Sequence, residues 1–291
     1  MLEVFLKYLT YEKRYSPHTV TSYANDIQQF TRHTEQIFGP LEWQDVTHQH
    51  VRSWMVQLKG DAITSRTINR KISALQTFFK FLRKNGKVDN NPLQKVVTPK
   101  IGKRLPVYVQ ENAIDRLFGE VTFSDNLEGK RDLLILKLLY ATGMRRAELV
   151  DLKVGNIDLQ KMQLKVLGKG NKERILPFGP EIKQIIQAYL PYRNEVVKGH
   201  DRLLVTGRGH PFYPKAVHVV VSKYLSLVTT LEKRSPHVLR HTFATHLANQ
   251  GAELNAIKDL LGHANLSATQ VYTHNSIEQL KKIYEAAHPK H

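Results

Sequence analysis

From Lys130 to Tyr140 the chain carries Leu133, Leu134, Leu136, Leu138 and Leu139 in a helical pattern that leaves almost no polar face. A helix apolar on nearly every side is stable only when other elements wrap it, so this run predicts the centre of a packed domain. It is roughly half as long as a membrane crossing requires, and no other apolar run is long enough to span a bilayer. Thr142-Gly143 breaks the helix, and a further helix is expected from Met144 to Leu152. Helical patterns over Glu111 to Phe118, Glu181 to Leu190 and Lys215 to Leu227 supply the covering elements, with a short extended piece at Leu203 to Thr206. Period-two alternation at Gln163 to Leu167 and Arg174 to Pro177 flanks Gly168-Lys169-Gly170-Asn171, which predicts a hairpin with Lys169 at its tip.

Residues 1 to 100 read as a separate bundle of four helices. The first spans Glu3 to Arg14, and the second opens at Ser16-Pro17 with Val20, Tyr23, Ala24, Ile27 and Phe30 on one side. A third, capped near Thr47, turns Val51, Trp54, Met55 and Leu58 inward; the fourth starts near Thr64-Ser65, buries Ile68, Ile72, Leu75, Phe78, Phe79 and Leu82, and stops at Asn85-Gly86. Charge is distributed unevenly over this bundle. Residues 1–50 hold 4 Lys/Arg against 6 Asp/Glu, a net −2, whereas residues 51–100 hold 11 against 2, a net +9. The fourth helix is therefore expected to face a polyanion, with Arg66, Arg70 and Lys71 off its apolar stripe as phosphate contacts and Thr67 and Asn69 beside them. Prolines at 92, 99 and 106, together with Lys95, Lys100, Lys103 and Arg104, mark a basic linker without helical periodicity, whose Lys103 and Arg104 are also expected on DNA. The expected layout is a helical domain over 1–97, a linker over 98–105 and a second domain over 106–291.

A formal charge of +17 points to nucleic acid, since no basic amphipathic anchor suggests a membrane. The N-terminus has neither the apolar core nor the cleavage site of a signal peptide, which predicts a cytoplasmic protein. With no cysteine in the chain, thiol catalysis and Cys-ligated metal are excluded and a covalent nucleophile must be oxygen or nitrogen. No acidic cluster offers a divalent site, so neither metal nor cofactor is expected.

The stretch from Ser235 to Tyr272 carries the chemistry. Ser235-Pro236 opens a helix that Gln250-Gly251 closes, placing His237 and Arg240 one turn apart, where both can touch one phosphate. A second short helix, Leu254 to Leu261, ends at Gly262 and delivers His263, and a polar segment carries Tyr272 beyond it. Two donors, a proton acceptor and a hydroxyl nucleophile suit phosphoryl transfer; a helix-turn-helix with surface histidines is the alternative.

Three stretches carry a resemblance: Y-A-T-G-M-R-R-A-E-L at Tyr140 to Leu149, V-L-G-K-G-N-K-E-R-I-L-P at Val166 to Pro177, and S-P-H-V-L-R-H-T-F-A-T-H-L with L-L-G-H-A-N-L-S-A-T-Q-V-Y up to Tyr272. The chain resembles the tyrosine recombinases, or phage integrase family, of the compact Xer-like type. Met144, Ala147 and Ala268 depart from the commoner residues without removing a reacting group. The resemblance implies a mainly α fold with a small β-sheet: a four-helix SAM-like core-binding domain, then an α+β catalytic domain. It also implies that Arg145 is a phosphate ligand braced by Glu148, and that linker and domains clamp a double-stranded recombination site.

On this reading Tyr272 attacks the scissile phosphate, Arg145 and Arg240 with His237 stabilise the transition state, Lys169 protonates the leaving oxygen and His263 accepts a proton or orients the phosphate. The resemblance implies a 3′-phosphotyrosine, a Holliday junction, and a tetramer on two duplexes, built with itself or a related recombinase and assisted by a DNA translocase of the FtsK type. The tail helix expected from Ile277 to Ala287 packs either on its own domain or on a neighbour. The resemblance implies Xer-like chromosome dimer resolution, with integration of a mobile element as the alternative; the two-domain layout disfavours a type IB topoisomerase, and the several separate matches disfavour a non-catalytic DNA-binding regulator.

Overall fold

The computed structural model describes residues 1–102, 107–168 and 173–262. The chain divides into two compact units, Met1–Arg104 and Leu105–His291. The N-terminal unit is all helical. Its first helix, α1 (Leu2–Lys7), continues as a π turn over Tyr8–Glu12. Then come α2 (Pro17–Phe38), with the Ser16 hydroxyl accepting from the Thr19 N–H, and α3 (His48–Gly60), where His50 Nδ1 accepts from the Thr47 N–H at 3.1 Å. The fourth, α4 (Ser65–Lys84), is capped by Thr64 and ends at Gly86, whose φ of 62° is the left-handed stop. Phe30, Trp54, Phe78 and Phe79 form a buried aromatic centre, with Phe30 against Trp54 edge to face at 5.4 Å between centroids. Residues after Pro92 are docked on this bundle: Leu93 is buried, Arg52 donates to the Lys95 carbonyl, and Asn69 donates to the Pro99 carbonyl at 3.0 Å.

The C-terminal unit wraps the apolar helix. This α6 (Leu127–Thr142) begins three residues earlier than its leucines suggest, because Asn126 caps it by accepting from the Gly129 N–H at 2.9 Å. Leu134, Ile135, Leu136, Leu138 and Leu139 are each fully buried. Around it lie α5 (Glu111–Gly119), α7 (Arg146–Asp151), α8 (Pro180–Val196), α9 (Pro214–Val228), α10 (Pro236–Asn249) and α11 (Leu254–Leu261). A three-stranded antiparallel sheet, β1 (Ile157–Asp158), β2 (Gln163–Leu167) and β3 (Glu173–Pro177), stands in the order β1-β2-β3, with Val166 opposite Arg174 and Leu164 opposite Leu176.

Two elements differ from the sequence expectation. The helix expected to stop at Leu190 runs through Pro191 to Val196, since the buried Arg193 on its last turn donates to the carbonyls of Arg202 and Leu203 and holds that turn on the core. The piece from Leu203 to Thr206 forms no strand, only a bridge between Val205 and Pro211, and its backbone instead serves Tyr189 and Arg193. Among the described residues no helix is long and apolar enough to cross a membrane.

Candidate active site

The last carbonyls of a helix have no partner inside it and carry the negative end of its dipole. At the end of α11, three consecutive carbonyls each accept from a different arginine. Leu260 accepts from Arg174 Nε at 3.2 Å, Leu261 from Arg240 Nη2 at 2.6 Å, and Gly262 from Arg145 Nη2 at 2.8 Å. The helix can end there because Gly262 takes a φ of 63°, a conformation costly for any residue with a Cβ.

Each arginine arrives on a different element. Arg145 is the N-cap of α7 and so stands just before the helix, not within its first turn as expected; its N–H donates to Glu148 Oε2 at 2.6 Å and its Nη1 to Glu148 Oε1 at 2.9 Å. Arg240 comes from α10, is buried, and donates through Nη1 to the carbonyl of Gly143 at 2.5 Å. Gly143 closes α6 in the left-handed region, which turns that carbonyl toward α10. Arg174 comes from β3, pointing inward with Leu176, and grips Glu148 with both terminal nitrogens at 2.6 and 2.7 Å. Sequence reasoning missed Arg174; the available signal was an arginine at the inward register of a predicted strand.

The electrostatics follow from this packing. Arg145 and Arg174 share the Glu148 carboxylate while Arg240 rests on backbone carbonyls, so the three guanidinium groups carry two positive charges beyond the one acid beside them. Burial, and then the neighbouring charges of Arg145 and Arg174, push the Arg240 guanidinium down to about 10, still charged at neutral pH. Glu148 feels burial most, which favours its neutral form, yet the bonds from Arg174 and from the Arg145 backbone hold it below its ordinary value.

His237 stands exposed on the first turn of α10 while Arg240, one turn on, is buried. Ser235 is the N-cap by position, although its side chain makes no capping bond. On the far face of α10, Thr242 Oγ1 accepts from the Val109 N–H at 2.9 Å and His246 Nε2 donates to the Val109 carbonyl at 3.0 Å. That tautomer leaves His246 Nδ1 to accept from the Tyr140 hydroxyl at 3.1 Å. The helix bearing His237 and Arg240 is thereby bolted to the start of the second unit and to α6. Lys169, His263, Tyr272, Lys103, Arg104 and the tail expected from Ile277 to Ala287 lie outside the described residues.

In the N-terminal unit Arg66 is exposed on α4 as expected. Lys71 is a correction: it is only 7% exposed and donates to Asp26 Oδ1 at 2.9 Å and to Gln29, so it lies inside the bundle. Arg70 reaches solvent with part of its side chain but also pairs with Asp26 through both terminal nitrogens. The buried Asp26 on α2 draws both cations inward, a pairing 44 and 45 residues apart that helical periodicity does not reveal.

Comparison with known proteins gives the family. The phage integrase family matches residues 107–279, and the phage integrase N-terminal SAM-like domain matches residues 2–86. Tyrosine recombinase XerC of Staphylococcus epidermidis is 40% identical over 289 residues, covering 99% of this chain and 97% of the relative. Its counterpart in Bacillus subtilis strain 168 is 36% identical over 294 residues, covering 99% and 96%. Among solved structures, the XerH site-specific recombinase bound to a palindromic difH substrate superposes with a TM-score of 0.74 at 22% identity, over 97% of this chain and 82% of that one. The Tn1549 transposon integrase in complex with circular intermediate DNA gives a TM-score of 0.68 at 19% identity, over 96% and 97%. These two structures share the fold. The sequence relatives span both units, and the chain belongs to the phage integrase family, the tyrosine recombinases, as a DNA-binding site-specific recombinase.

Proposed function

We propose that this recombinase cuts and rejoins DNA one strand at a time through Tyr272, with no metal ion and no ATP. The observation that carries this reading is the meeting of Arg145 and Arg240 on adjacent carbonyls of the α11 end, with positive charge in excess of the single carboxylate beside them. A phosphodiester carries one negative charge, and attack by a tyrosine oxygen adds a second in the five-coordinate transition state. Two uncompensated guanidinium charges match that dianion and do the work a divalent ion would do.

The Tyr272 hydroxyl oxygen attacks phosphorus while its proton passes to His263, and the bond from phosphorus to the 5′-oxygen breaks. Lys169 gives that oxygen a proton, so a free 5′-hydroxyl leaves and the 3′-phosphate stays on the tyrosine. His237 donates to a non-bridging oxygen. One phosphate ester replaces another, so the bond energy is retained and the reverse reaction, with a hydroxyl from a partner duplex, reseals the strand and builds a Holliday junction.

The whole-length likeness to proteins named XerC supports chromosome dimer resolution, and with it chromosome partition at cell division in the cytoplasm, over mobility of an element. In that role four subunits, identical or of two related kinds, act on two duplexes, and a translocase of the FtsK type brings the sites together. The test is Tyr272→Phe on a nicked suicide duplex: a covalent adduct on denaturing gels in the wild type and none in the variant, with duplex binding retained. An adduct that persists in the variant contradicts the assignment.

A further inference from the structure

β3 delivers Arg174 into the middle of the cluster, where its side chain is 6% exposed. Both terminal nitrogens lie on Glu148, and Nε lies on the Leu260 carbonyl, so its charge is cancelled and its fork fully directed by protein. Gly262 packs on the same guanidinium: a Cβ there would stand 3.3 Å from Arg174 Nη1 and Cδ and 3.4 Å from Cζ. Arg145 differs. Its side chain is 32% exposed, and it spends one nitrogen on Glu148 and another on Gly262. A buried carboxylate held by one partly solvated guanidinium is a weak anchor, because burial favours the neutral acid. With Arg174 bidentate on it, Glu148 stays ionised and both oxygens are fixed, including Oε2, which accepts the Arg145 N–H.

We propose that Arg174 is a positioning residue for strand cleavage: it fixes Glu148, and through Glu148 it holds Arg145 on the end of α11 beside Arg240. The proposal rests on the reading of Arg145 and Arg240 as phosphate ligands. Among the described residues the charged groups that face Glu148 are Arg145 at the start of its own helix, Arg174 from β3 and Arg240 from α10. Removing Arg174 leaves burial as the dominant influence on Glu148, so its protonation moves up toward the working pH range. Protonation then releases Arg145, and cleavage falls on acidification from a higher pH and more steeply than in the wild type, where the base His263 alone sets the acid limb.

The experiment is single-turnover cleavage of a nicked duplex by the full chain between about pH 5 and pH 8. Arg174→Met, Arg174→Lys, Glu148→Gln and the Arg174→Met/Glu148→Gln double variant are compared with the wild type and with Arg145→Ala. Arg174→Met is expected to lower the rate at neutral pH roughly tenfold to a hundredfold and to lose further activity on acidification. Arg174→Lys, which keeps the charge and loses the fork, should recover part of the rate and move the acid limb back down. In the Glu148→Gln background, loss of Arg174 should cost less than about threefold, because the two act as one unit. An unchanged pH profile, or the same cost with and without the Glu148 carboxylate, overturns the positioning role. Should Arg174→Met fail to fold, Arg174→Lys carries the same test, and the absence of a shifted limb there overturns the proposal. Undiminished cleavage by Arg145→Ala would instead overturn the phosphate-ligand reading beneath it.

Discussion

Arg240 is buried with a charge that no carboxylate among the described residues touches, and it keeps that position by donating from both terminal nitrogens to two carbonyls, Gly143 and Leu261, contributed by different helices. Only a planar fork reaches both. Arg240→Lys is therefore expected to lower cleavage about 10²- to 10³-fold while duplex affinity changes little, measured by adduct formation and by gel shift. A rate within about tenfold of wild type would show that charge alone suffices. At this scale the sequence was informative where a residue sits beside a helix break: Thr142-Gly143 marks Arg145, Ser235-Pro236 marks Arg240, and Gly262 marks the helix end they share. It was silent where a side chain finds its partner across the fold. Arg174 meets Glu148 26 residues away on another element, and Lys71 meets Asp26 45 residues away, so neither burial follows from local spacing.

Between elements, the α6 to α7 corner is the tightest joint of the site. Gly143 has a φ of 59°, and a Cβ there would stand 2.3 Å from Cδ1 and 2.7 Å from Cε1 of Phe243, itself 2% exposed. Strain and overpacking act together at one atom. Gly143→Ala should cost about 2–4 kcal/mol of stability, read as a lower urea midpoint at unchanged slope, and should weaken cleavage because α10 is displaced with Arg240. An unchanged midpoint would mean that the corner yields freely. Helix positions were legible here where caps and glycine stops were read from the sequence: Thr64, Gly86 and Gly143 bound their helices within a few residues of expectation, whereas the Asn126 cap that starts α6 three residues early was missed. The course of α8 past Pro191 was not legible, since the contacts that hold its last turn come from the carbonyls of Arg202 and Leu203.

For the molecule as a whole, the +9 of residues 51–100 predicts steep salt dependence of DNA binding, about a thousandfold or more between about 50 and 200 mM salt. The structure refines which cations contribute. Arg66→Ala should reduce the slope of log K against log salt by about one, whereas Lys71→Met should leave the slope unchanged and lower the stability of the N-terminal unit, because its ammonium is already paired with Asp26. Equal effects of the two on the slope would contradict the buried assignment of Lys71. The central claim is that strand breakage is carried by one tyrosine and by arginine charge in place of a metal. It is tested most directly by trapping the wild-type chain on a nicked duplex in the presence of a chelator, digesting the adduct and sequencing the DNA-linked peptide by mass spectrometry. The account predicts a full yield of adduct, with the DNA 3′-phosphate on Tyr272; linkage to any other residue, or an adduct that forms only when magnesium is restored, would contradict it.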